Sequence, residues 1–267
     1  MSTGQVGSET EHWAKWYAIG LDKEERSWLV GPDPEEIFLG QVRKSLNRTK
    51  KLLDIGCGTG ETVEAIASRV GEAWGVDTSK RLIEVAEKDS PANVHFRVAD
   101  GRRLPFTDKN FDVVICQRGL ATENLRFASE MSRVLKNRGV FIAIAIGETD
   151  KENIKRVFKR GQLYASMLRG KTEADRHVAL LKRLGFNPVI VKEYNPTEYF
   201  ATVDDLVLRL ETTPIIPSFH RVNDKQALKI VEKSLFNDRG LRTNSHRLIV
   251  KAVKKQSDHE PRRVSKC

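Results

Sequence analysis

The chain has 267 residues, 39% of them hydrophobic and 31% charged, with 46 Lys+Arg against 36 Asp+Glu for a formal charge of +10. That length and apolar share suit one large globular domain and exclude wholesale disorder. The longest apolar run, residues 140–146, is too short for a bilayer. The opening MSTGQVGSET lacks the basic and apolar regions of a secretory signal. Cys57, Cys116 and Cys267 are too scattered for a disulfide framework or a zinc site. No metal and no membrane are therefore expected, in a cytoplasmic setting.

Residues 1–10 are small and polar. Residues 11–46 read as helical segments interrupted at Gly31-Pro32-Asp33-Pro34, with Asp33 as N-cap of a helix beginning at Pro34. Strand and helix signals then alternate. Residues 51–55 form a short apolar strand, 61–70 a helix, 73–76 a strand, 79–88 a helix, and 94–98 and 111–116 two further strands. Residues 121–135 read as a helix stopped by Asn137-Arg138-Gly139, and residues 140–146 as the fully apolar strand expected at the centre of a parallel sheet. Residues 150–168 read as one amphipathic helix, with Lys155, Arg156, Lys159 and Arg160 toward solvent. A helix over 172–184, strands over 188–194 and 247–253, and helices over 203–210 and 224–235 complete the pattern. This alternation predicts an α/β fold, a doubly wound Rossmann-like sheet, mostly parallel, with right-handed crossovers and helical cap insertions.

The stretch Leu52-Leu53-Asp54-Ile55-Gly56-Cys57-Gly58-Thr59-Gly60 carries the most chemistry. A buried strand delivers three glycines at alternate positions just before a helix, which lets a ligand approach the backbone and meet helix N-terminal amides. Asp77 ends the second strand, where a carboxylate can accept both hydroxyls of a ribose. Asp100 ends the third, placed to accept from an exocyclic amine. The spacing GCGTG is not the G-x-G-x-x-G of dinucleotide enzymes.

These segments, with GVDTS, ADGRRLPF, FDVVIC and LKNRG, resemble the class I S-adenosylmethionine-dependent methyltransferases, closest to the subgroup acting on small molecules. The resemblance covers residues 48–147 and implies seven strands and the cofactor S-adenosyl-L-methionine. It implies that Gly56, Gly58 and Gly60 lie beneath the cofactor, with the backbone around Cys57 and Thr59 at its methionine part. Asp54 would hold the methionine amino group. Asp77 would bind the ribose hydroxyls with Thr78 nearby, Asp100 the adenine amine, Gly101 a ring nitrogen, and Gln117 would sit near the sulfonium. The one departure is Asn137-Arg138, where the family reads Pro-Gly.

Methyl transfer needs alignment and exclusion of water more than a base, and no catalytic residue declares itself. His12 and Tyr17 belong to the aromatic cluster His12-Trp13-Trp16-Tyr17, which in related enzymes forms a lid over the cofactor or is an ordinary packing face; Tyr17 is therefore a cofactor candidate as well. His220, inside the long insertion, is the third candidate. His95 and His177 read as structural. Ligands in such sheets bind beyond the carboxyl ends of the parallel strands. A helical lid over 1–47 and cap insertions over 150–170 and 195–245 are accordingly expected to cover a methyltransferase domain over 48–267.

The charge is uneven. Residues 1–150 carry a net −2 and residues 151–267 a net +12, concentrated at 151–170 and 246–267. Such a patch steers anions or only confers solubility. The leading expectation is a small-molecule acceptor, an anionic one included. The alternative is RNA bound through Lys155, Arg156, Lys159, Arg160, Arg262 and Arg263, against which stands the absence of Asp/Asn-Pro-Pro-Tyr after strand four. A protein-modifying enzyme and a non-catalytic, cofactor-binding partner subunit are lesser alternatives.

Overall fold

The computed structural model describes residues 25–117 and 124–256. Its frame is a seven-stranded sheet of order β4-β3-β2-β5-β6-β11-β7. The strands are β2 (Lys51–Ile55), β3 (Glu72–Asp77), β4 (Val94–Val98), β5 (Phe111–Gln117), β6 (Leu135–Ile146), β7 (Phe186–Tyr194) and β11 (Arg247–Lys254). All pairings from β4 to β6 are parallel; β11 runs antiparallel between β6 and β7. This is the predicted doubly wound, mostly parallel sheet. Val113, Val114, Ile115 and Cys116 of β5 are all buried, because helices cover both faces of the sheet.

Two apolar layers hold those helices. One packs Leu53, Val76, Val114 and Phe141 against Phe127 and Met131 of α4 (Leu125–Val134) and Leu181 of α7 (Glu173–Arg183). The other packs Leu52, Ile115, Ile142 and Ile249 against Phe38 and Val42 of α1 (Pro34–Ser45). Asp33 caps α1 as expected, accepting from the Glu35 N–H at 2.8 Å. Helix α1 is thus a core helix laid on β6 and β11, whereas sheet topology places it in a lid over residues 1–47. Only residues 25–47 of the expected lid lie within the described part.

Other helices are shorter than their sequence pattern. The segment 61–70 is one turn of α-helix, α2 (Glu61–Glu64), followed by a 3₁₀ turn (Ala67–Arg69). Ser79 caps α3 (Lys80–Ala86). The helix expected over 150–168 is broken into α5 (Glu152–Phe158) and α6 (Tyr164–Leu168), because Lys159, Gly161 and Leu163 all take positive φ.

The insertion holds α8 (Val203–Thr212) and α9 (Lys225–Leu235), as predicted, and also strands that were not. A second, antiparallel sheet has the order β1-β8-β10-β9, formed by Ser27–Val30, Thr197–Phe200, Gly240–Asn244 and Phe236–Asn237. Ser27–Val30 corrects the helical reading of residues 11–46: it pairs with β8 in the register Ser27↔Phe200. Ile154 and Phe158 of α5 join Phe200, Leu206, Leu210 and Leu241 in a separate apolar cluster beneath this sheet. The insertions are therefore a small subdomain with its own core, seated where β6 ends and β11 begins.

Candidate functional site

The site is built at the carboxyl end of β2. After Ile55 the chain turns through Gly56, Gly58 and Gly60, with φ of 82°, 57° and 87°. The turn is pinned from below: the Gly56 and Cys57 N–H groups both donate to the Val76 carbonyl, at 2.7 and 3.0 Å. A Cβ at Gly60 would lie 2.5 Å from the Phe96 ring, so this glycine lets α2 close onto the sheet. A Cβ at Gly56 or Gly58 would meet nothing within 4 Å. Those two glycines form an open backbone ledge, the shape a flat ligand needs.

Asp77 orders the ledge from the neighbouring strand. Its Oδ2 accepts from the Gly58 N–H at 3.1 Å and its Oδ1 from the Ser79 N–H at 2.9 Å. Thr78, next to it, is exposed. Thr59 donates through Oγ1 to Glu61 at 3.2 Å. Burial drives the Cys57 thiol far above its usual range, and the nearby Asp54 and Asp77 charges add to this, so the thiol is held neutral.

Asp54 is the telling group. Its side chain is 1% exposed, and its Oδ1 has no hydrogen-bond partner among the described residues. Burial pushes its carboxyl up to about 7, and the charge of Asp77 adds to the rise. A buried, unpaired carboxyl beneath an open ledge is costly unless a cation arrives to meet it.

The other expected residues gather at the same end of the sheet. Asp100, beyond β4, is clamped by Arg102, whose Nε lies 2.9 Å from both carboxylate oxygens and whose Nη2 lies 2.5 Å from Oδ2. Those hydrogen bonds hold Asp100 below the ordinary carboxylate range. Gly101 packs against Ile55 and Phe127, and a Cβ there would sit 2.8 Å from both. Gln117 closes β5 and donates to the Thr62 hydroxyl in the first turn of α2. Arg102 and Thr62 were missed in the sequence. A guanidinium two residues after a strand-end carboxylate was the available signal for the first.

The catalytic candidates fare differently. His12 and Tyr17 lie outside the described residues. His220 is exposed on the turn before α9, where its own N–H donates to Asp224 at 2.9 Å and its ring lies beside the Asn223 N–H. It is a turn residue of the small subdomain. The basic face expected on 150–168 is also corrected. Lys155 is 1% exposed and Arg160, partly exposed, is bound to Asp224 at 2.8 Å, while Arg156 and Lys159 stand in solvent. The Arg262-Arg263 tail lies outside the described residues.

Residues 53–143 match a family model described as a methyltransferase domain. The chain is 34% identical over 100 residues to the uncharacterized methyltransferase YcgJ of Bacillus subtilis, a match covering 35% of this chain and 40% of that protein. It is 28% identical over 194 residues to the demethylmenaquinone methyltransferase of Staphylococcus haemolyticus, covering 62% of this chain and 81% of that one. The crystal structure of YcgJ superposes with a TM-score of 0.62 at 19% identity, over 83% of this chain and all of that one.

Sheet order, antiparallel β11 and the glycine turn on β2 define a Rossmann-like cofactor domain. Within it, residues 53–143 are those matched as a methyltransferase domain, and the domain is similar to those of the class I S-adenosylmethionine-dependent methyltransferases, with S-adenosylmethionine as the cofactor. The residues present fit the group: the ledge is open where its body would lie, and Asp54 is a buried carboxyl without a partner.

Proposed function

We propose that the chain catalyses transfer of a methyl group from S-adenosylmethionine to a nucleophilic O, N or C atom of a small molecule. The observation that carries this reading is the open Gly56–Gly58 ledge over the buried, unpaired Asp54. When bound, the cofactor supplies an electrophilic methyl on a sulfonium. The chain's own part is to bind and orient. Asp54 would hold the amino group, Asp77 the ribose hydroxyls, and Asp100, set by Arg102, the adenine amine. Gln117, fixed by Thr62, would border the reacting end. No side chain needs to move a proton for the displacement itself, so a base is required only if the acceptor is protonated.

The small-molecule reading is supported by the subdomain over the β6 and β11 ends, which walls the same end of the sheet as the ledge. The RNA reading loses support because Lys155 is buried, Arg160 is paired with Asp224 and Lys254 is spent on the Ser132 and Leu135 carbonyls. No helix among the described residues is long and apolar enough to cross a membrane. Cys57 has a free thiol, in keeping with a reducing, cytoplasmic setting.

Two measurements test the proposal. Calorimetry must show S-adenosylmethionine binding to the wild-type chain and a large loss in Asp77→Ala; equal affinity in both would sink it. Labelled methyl transfer must then pass into the low-molecular-weight fraction of a cell extract. Transfer into RNA alone, with a steep salt dependence of RNA binding, would favour the alternative.

A further inference from the structure

Helix α9 has an inner face matched to the fold and an outer face that is not. Leu228 and Val231 are buried in the small subdomain's own apolar cluster, with Ala227 and Leu235 packed beside them. That side satisfies the apolar stripe of an amphipathic helix. On the other side Lys225, Lys229 and Lys233 stand one turn apart in a single row, all exposed. None of the three has an ion-pair partner among the described residues. Ile230 lies on the same exposed side and is 54% exposed. Val222, on the turn before the helix, is 72% exposed, and Phe236, directly after it, 45%.

This surface is cationic when every group on it is counted. Arg221 is spent on Asp204, and Asp224 on Arg160. From Lys225 to Arg239 there remain Lys225, Lys229, Lys233 and Arg239 against Glu232 and Asp238, an excess of two positive charges. The apolar side chains stand singly among the long cationic ones, whose stems can lie along them while the charged ends stay in water. A second copy of the chain, docked through the same face, would set the lysine rows against each other. A polyanion such as RNA would pair with the lysines and leave Val222, Ile230 and Phe236 unused. An anionic bilayer meets both features. Its phosphates take the lysines, and the apolar side chains enter the boundary between headgroups and acyl chains. A fluid surface also needs no fixed shape to match singly placed side chains.

We propose that the outer face of α9, with Val222 and Phe236 at its ends, docks on an anionic lipid surface. The contact is interfacial: no helix among the described residues is long and apolar enough to cross a membrane, and α9 would lie in the plane of the headgroups. This departs from the expectation of no membrane, which rests on the lack of a spanning run. It stands on this surface alone and does not depend on the methyl-transfer reading. An excess of two charges with three apolar side chains gives a reversible attachment, strengthened by low salt and by a higher share of anionic lipid.

The test is sedimentation of the full chain with vesicles of phosphatidylcholine alone and of equal parts phosphatidylcholine and phosphatidylglycerol. Mixed-sequence RNA is titrated in parallel. The wild type should partition at least about tenfold more strongly onto the anionic vesicles at low salt, and lose that preference as salt is raised. The triple variant Lys225→Gln/Lys229→Gln/Lys233→Gln should weaken partition by at least about tenfold. The pair Ile230→Ser/Phe236→Ser should weaken it by about tenfold as well. No preference for anionic vesicles overturns the proposal. So does equal partition by the triple variant, which would place the binding elsewhere in the chain. Lysine-dependent binding that ignores Ile230→Ser/Phe236→Ser, with RNA bound as tightly as vesicles, assigns the face to a polyanion and overturns it too. Should either variant not fold, hydrogen exchange of the wild type decides: anionic vesicles must slow the amides of residues 222–239, and unaltered exchange there rejects the docking.

Discussion

The cofactor end and the small subdomain both bury charge, but they treat it in opposite ways. Around β2 and β3 the Asp54 carboxyl is left with its Oδ1 unpaired among the described residues under an open ledge, and the nearby Asp77 charge raises it further. Around α5, β8 and β11 the charges are matched against one another almost completely, and Lys155 is the ammonium there without a hydrogen-bond acceptor among the described residues. The first arrangement awaits a ligand; the second is mainly a structural staple between the subdomain and the sheet. The sharpest way to break this contrast is Lys151→Met. Removing one partner leaves Glu198 buried beside Asp150 without its strongest counter-charge. A loss of about 3–5 kcal/mol in chemical denaturation is expected. The double variant Lys151→Met/Glu198→Leu should recover most of it. A single-variant loss below about 1 kcal/mol would mean that the pair is not the staple described here.

At the cofactor end the corresponding change should cost binding more than stability. Asp77→Ala removes acceptors for the Gly58 and Ser79 N–H groups and the expected ribose contact. Cofactor affinity should fall by roughly ten- to a hundredfold by calorimetry. Asp77→Asn should do less harm to the turn while still weakening the cofactor.

The two regions also differ in how plainly they could be read beforehand. The strands β2 and β4 fall where the sequence put them: β2 is a short apolar segment closed by glycines, and in β4 Val94, Phe96 and Val98 alternate with His95 and Arg97. The glycine turn and its carboxylates were legible because their spacing is local. The small sheet was not: its strands have two to five residues, too few for a period of two to stand out. Lys155 was assigned outward because a lysine on an amphipathic helix ordinarily faces water. Its neighbours Asp150 and Arg247 come from two segments nearly a hundred residues apart, and only the folded chain brings them together. The Arg102 clamp on Asp100 was local yet overlooked, because basic residues after a strand read as loop polarity.

A smaller effect follows from pH. The Asp54 carboxyl titrates at about 7 in the folded chain, above its ordinary value near 3.8, chiefly through burial. A raised acid contributes stability that is complete below the unfolded value and is lost as pH rises through the folded one. The free chain should therefore lose stability between about pH 4 and pH 7 through this group. The cofactor's ammonium calls for the ionised carboxylate, so its affinity should drop toward tenfold per pH unit as the pH falls below about 7. Asp54→Asn should flatten that profile, bind more weakly, and stabilise the free chain at pH 8. A cofactor affinity independent of pH from 6 to 8 would argue against Asp54 as the ammonium's partner.

The smallest expected effect separates two neighbours on one helix. Arg156 follows Lys155 in α5, but its side chain is 56% exposed and pairs with Glu152 at 2.6 Å across one turn. Water solvates both groups when they part, so Arg156→Ala should change stability by no more than about 0.5 kcal/mol. Lys155→Met, by contrast, removes a buried ammonium that has no hydrogen-bond acceptor among the described residues, and replaces it with an apolar chain of similar length. It should leave the free chain more stable than the wild type, by about 1 kcal/mol. Chemical denaturation of the two variants sets these outcomes side by side. If both variants stay within about 0.5 kcal/mol of the wild type, the helix carries a solvated basic face after all, and the distinction between its inner and outer charges falls.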